Sequence, residues 1–85
     1  MPKIEIIIPT RIPHSNGFIE FRDRHLDIVE LEAIPRTGEF VFYAENETES
    51  SNCYIVKYVY HILFPVQPPQ IVMVALDDLH DYDNK

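Results

Sequence analysis

Apolar and polar residues along this chain follow short, mostly two-residue periods, the rhythm of half-buried β-strands. Lys3-Ile4-Glu5-Ile6-Ile7-Ile8 alternates at first and is β-branched, and predicts a strand. Pro9, Pro13 and Asn16-Gly17 predict a loop, since Asn-Gly favours tight turns. Phe18 to Phe21 reads as a short strand. Between Leu26 and Ile34 the charges at Asp27, Glu30 and Glu32 change phase once, as a β-bulge would produce. A short helix over 23–33 is the alternative. Pro35-Arg36-Thr37-Gly38 predicts a turn, because Pro presets the backbone and Gly permits positive φ. Glu39–Ala44 predicts a strand, Glu45–Asn52 an exposed loop, and Cys53–Phe64 the longest strand, bending near Lys57. Pro65–Pro69 connects it to a last strand, Ile71–Leu76.

The pattern predicts an all-β fold of five or six strands. Sheets this apolar on both faces often close on themselves, since closure removes sticky edges. The leading architecture is therefore a small SH3-like or OB-like barrel, with a curled sheet carrying one short helix as the second. Residues 1–76 form one β domain, and the acidic stretch 77–85 reads as a flexible tail.

Pro35-x-x-Gly38-Glu39-x-Val41, followed by Tyr54-x-Val56-x-x-Val59-x-His61, resembles a pattern in small uncharacterised bacterial and phage-type β-barrel proteins. The likeness covers about a third of the chain. It implies a small barrel and no transferable catalytic motif.

Composition narrows the class. With 85 residues, one core is all the chain can build, and a hydrophobic share of 46% suffices for it. One cysteine, Cys53, excludes an internal disulfide and makes the cytoplasm the default compartment. The first residues, Met1-Pro2-Lys3-Ile4-Glu5, do not read as a signal peptide, and Pro65, Pro68 and Pro69 interrupt the longest uncharged stretch. Net charge is −7, of which −1 accrues up to Arg36 and −6 after it. That balance argues against nonspecific nucleic-acid binding, which needs a basic surface.

Several residues are candidates for chemistry, each with a plainer reading beside it. Cys53 is a potential nucleophile. If it shares one extended strand with His61, roughly 26 Å separates them, so a structural thiol is the simpler reading. His61 suits a hydrogen bond to a neighbouring strand before it suits a proton switch. Asp77, Asp78, His80, Asp81 and Asp83 are dense but lack calcium-loop spacing, and one histidine is too few for zinc. No metal site and no cofactor are expected. Arg11, Arg22, Arg24 and Arg36 could gather at one end of a barrel and grip an anion or nucleic acid, or pair with nearby carboxylates. Glu45, Glu47, Glu49 and the acidic tail could mimic a phosphate backbone as a decoy.

The aromatic residues also have two readings, an exposed interface or rings covered by the Pro9–Gly17 loop and the Pro65–Pro69 connector. Phe40, Phe42, Tyr43, Tyr54, Tyr58, Tyr60 and Phe64 are too many for a small sheet to bury, because alternate residues face opposite ways. Phe42, Tyr43, Tyr58 and Tyr60 are the expected contact residues of a non-enzymatic interaction module that docks a protein partner or its own copy.

Overall fold

A computed structural model describes residues 3–46, 48 and 50–84. Five strands form one mixed sheet: β1 (Lys3–Pro13), β2 (Ile19–Glu30), β3 (Phe40–Tyr43), β4 (Asn52–Tyr60) and β5 (Gln70–Ala75). Their order is β2-β1-β5-β4-β3. Neighbours run antiparallel except β1 and β5, which are parallel at Glu5–Gln70, Ile6–Ile71 and Ile7–Val72. The chain is all-β apart from a terminal turn of 3-10 helix at Leu76–Asp78 and a short helix, α1 (Leu79–Asp83).

The expected closed barrel is not formed. Among the described residues no ladder joins β2 to β3, so the sheet stays open with those strands as edges. It curls instead. Leu26 and Val29 from β2, and Val41 and Tyr43 from β3, pack against the same buried cluster of Ile4, Ile6, Ile8, Tyr54, Val56, Ile71 and Met73. The Arg24 guanidinium reaches across to the Glu45 carboxylate beyond β3. Side chains thus bridge what backbone hydrogen bonds do not.

The ambiguous segment is strand up to Glu30, and the helix over 23–33 does not form. Its bulge falls at Leu26–Asp27: Ile7 pairs with His25 and Glu5 with Ile28, so β2 spends one extra residue there. The bend expected near Lys57 is a second bulge, between Val56–Met73 and Tyr58–Val72. The loop expected from Pro9 is shorter than its prolines suggest. β1 runs through Pro9 to Pro13, because beyond Ile7 it has β2 on one side alone, where a missing N–H is tolerated. The reversal is confined to His14–Phe18, with Gly17 at φ +86° and the Asn16 side chain accepting from the Phe18 N–H.

Where a frayed tail was expected, residues 76–83 are helical. Leu76, Leu79 and Tyr82 are spaced by three, which puts them on one side of the turns. Tyr82 is buried and meets Phe21 edge-on, with ring centroids 5.2 Å apart. The helix therefore covers the sheet's second face, over Ile7, Val72 and Val74, which are buried outside the main cluster.

Candidate functional site

Residues paired directly across a ladder point to the same side of a sheet. Phe40 pairs with Ile55 and Phe42 with Cys53; across β4 and β5, Tyr58 pairs with Val72 and Tyr60 with Gln70. Phe40, Phe42, Tyr58 and Tyr60 therefore share the second face, beside α1. The bulge at Lys57 makes this possible, since it shifts Tyr58 and Tyr60 out of the parity that buries Tyr54 and Val56.

All four rings are open to solvent: Phe40 is 62% exposed, Phe42 73%, Tyr58 46% and Tyr60 49%. Tyr58 and Tyr60 stack with centroids 6.1 Å apart and planes 26° from parallel. At about 200 Å² per aromatic side chain the exposed part comes to roughly 450 Å². It falls in two groups, Phe40 with Phe42 on β3 and Tyr58 with Tyr60 towards the other end of β4.

The shelf has an acidic border. Asp83 of α1 lies 2.9 Å from the Lys57 ammonium. Tyr82 has its hydroxyl pKa raised, first by partial burial and then by Tyr58, Asp23, Tyr60 and Asp83 around it. Further along the same face, Glu5 lies between His25 Nδ1, at 2.7 Å, and the Gln70 amide, which donates at 3.0 Å. Both contacts favour the ionised form and hold the Glu5 pKa low.

Three of the four expected contact residues, Phe42, Tyr58 and Tyr60, lie on the shelf. Tyr43 does not: one residue on from Phe42, it turns to the opposite face and packs edge-on against Tyr54 at 6.4 Å. Burial, with help from Asp27, raises its pKa. Phe40 takes its place, as the two-residue period from Phe42 requires. Leu63, Phe64 and Val66 were not singled out as contact residues, yet they are 81%, 95% and 86% exposed around a cis Phe64–Pro65 bond.

Arg11, Arg22 and Arg24 lie within a few ladder positions of one another on the β1–β2 hairpin, each paired with a carboxylate. Arg11 pairs with Asp81 at 2.8 Å, Arg22 with Glu20 at 2.9 Å, and Arg24 with Glu45. Arg36 lies in the turn beside Val59 and His61, away from the β1–β2 reversal. These pairs also occupy Glu45 and Asp81, two carboxylates that a nucleic-acid decoy would present; Glu47 and Glu49 lie outside the described residues. Cys53 is half-buried at the start of β4, and exposed His61 just follows its end, so the strand holds them apart. Among the described residues no three His, Cys, Asp or Glu side chains gather as a metal-binding group. A groove of about 610 Å³ lies at the β1–β2 reversal, with Phe18, Ile19, Phe21, Glu20 and Asp81 among its lining residues. Its two carboxylates are both engaged by arginines.

No family model, curated protein or solved structure matches this chain. Among the described residues no helix is long and apolar enough to cross a membrane.

Proposed function

We propose that this chain is a non-enzymatic interaction module of the cytoplasm that docks a protein partner on the face bearing Phe40, Phe42, Tyr58 and Tyr60. The observation that carries the reading is the exposure of four aromatic rings on one side of a sheet whose other side is filled. Aromatic side chains bring large contact area at little entropic cost, so they dominate the centres of interfaces. Nothing on this face combines a nucleophile, a base and an anion-stabilising pocket, which weighs against catalysis. The single cysteine fits a reducing compartment.

The test compares wild type with a Phe42→Ser/Tyr58→Ser/Tyr60→Ser variant as bait, alongside solution mass. A partner retained by wild type and lost by the variant, then shown to bind as a purified protein, is the expected result. Identical recoveries from both baits, with wild type strictly monomeric, would remove the reading.

A further inference from the structure

The two edges of the sheet differ in their protection. β2 carries Arg22, Asp23, Arg24, His25 and Asp27 together with a bulge, features that keep an edge strand from pairing sideways. β3 reads Phe-Val-Phe-Tyr, with no charge, no proline and no bulge. Its backbone is also poised outward. The Val56 N–H donates to the Glu39 carbonyl at 2.9 Å while the Val56 carbonyl accepts from the Gly38 N–H at 2.8 Å, so the Glu39 carbonyl faces β4 in the position of a hydrogen-bonded pair. In an antiparallel ladder such pairs alternate. Val41–Tyr54 and Tyr43–Asn52 are then of the same kind, and the N–H and C=O of Phe40 and Phe42 point away from β4. Among the described residues no strand lies beyond them.

We propose that β3 receives an extended segment of a partner as a sixth strand, and that this segment carries lysine or arginine on either side of its pairing core. This rests on the reading of the aromatic face as the docking surface. Strand addition supplies main-chain hydrogen bonds, and alternate side chains of the incoming segment then lie over the shelf beside Phe40 and Phe42. Charge selects the occupant. Glu39 and Glu45 flank β3, Glu39 accepting from the Arg36 N–H and Glu45 in an exposed pair with Arg24, in a chain of net charge −7. In the antiparallel register that faces Phe42 with Phe42, a second copy would set Glu39 of each opposite Glu45 of the other, a facing of like charges that disfavours that pairing. A segment with cationic ends has the opposite sign at both places, and its cations can also lie against the rings.

The experiment uses ¹⁵N-labelled protein and two synthetic peptides, Lys-Lys-Thr-Val-Thr-Val-Lys-Lys and its counterpart with every lysine replaced by glutamate. Amide exchange at Phe40 and Phe42 is expected to slow roughly tenfold with the lysine peptide at low salt and not with the glutamate peptide. A Phe42→Pro variant is expected to lose the effect, because it removes an outward donor while leaving the β3–β4 ladder in place; a thermal scan checks its fold. If that variant unfolds, the wild-type exchange data decide alone. Three results overturn the proposal: no protection at Phe40 and Phe42, shifts confined to the carboxylates of α1, or the same protection from raising protein concentration without peptide. Should Phe42→Pro keep a partner that the triple serine variant loses, the docking face stands and strand addition falls.

Discussion

Tyr82 fixes the C-terminal helix to the sheet almost single-handedly. It is the one buried residue of α1, a helix too short to persist alone in water. Removing it leaves half-buried Leu79 and the ion pairs Arg11–Asp81 and Lys57–Asp83, each pair worth about 0–1 kcal/mol. Tyr82→Ala is expected to cost about 3 kcal/mol and to lower the thermal midpoint by at least 10 °C or so, read by urea and thermal denaturation. Tyr58→Ser, by contrast, should stay within about 1 kcal/mol of wild type, because the ring is half open. Glu5 gives a pH signature. Its folded pKa lies below its unfolded value, so its contribution to stability is complete above the unfolded pKa and is lost as pH falls through the folded one. Glu5→Gln should therefore flatten the acid limb of the stability profile below about pH 4.5. The Glu5 contacts were not legible beforehand: His25 and Gln70 lie 20 and 65 residues away in sequence, and register alone brings them together.

At the scale of elements, local chemistry was readable wherever it had one solution. The turn expected at Pro35–Gly38 forms one residue later, over Arg36–Glu39: Gly38 sits at φ +92°, and the Glu39 N–H donates to the Arg36 carbonyl at 3.0 Å. A Cβ at Gly38 would meet nothing within 4 Å, so Gly38→Ala tests backbone conformation alone. The expected cost is about 1–2 kcal/mol by chemical denaturation, with the midpoint moved and the slope kept. The phase slip in β2 and the bend in β4 were also visible, since a bulge leaves its mark on the parity of apolar positions. Parity also groups Phe40 with Phe42 and sets Tyr43 apart; only the ladder says which group is covered. Elements governed by distant partners were less legible. β1 continues through two prolines because its neighbour on one side has ended, and the acidic stretch folds because Phe21 waits on the sheet for Tyr82.

For the whole molecule, strand number and class followed from alternation, whereas closure did not. Whether a five-stranded sheet seals depends on the reach between its outermost strands, and here that gap is spanned by Arg24, Glu45 and the apolar rows on either side. The order of strands has a consequence for how the chain comes into being. β5 lies between β1 and β4 and supplies Ile71, Val72, Met73 and Val74, all buried. Without it, the β1–β2 hairpin and the β3–β4 hairpin have no common neighbour. A chain ending at Gln67 is expected to show no cooperative unfolding transition by urea. During synthesis, at roughly 5–20 residues per second, the β1–β2 hairpin is complete about 2–9 s, and the β3–β4 hairpin about 1–3 s, before the strand that unites them. Their greasy inner sides must wait uncovered for that interval, which makes the nascent chain a natural client for whatever chaperone stands at the exit tunnel.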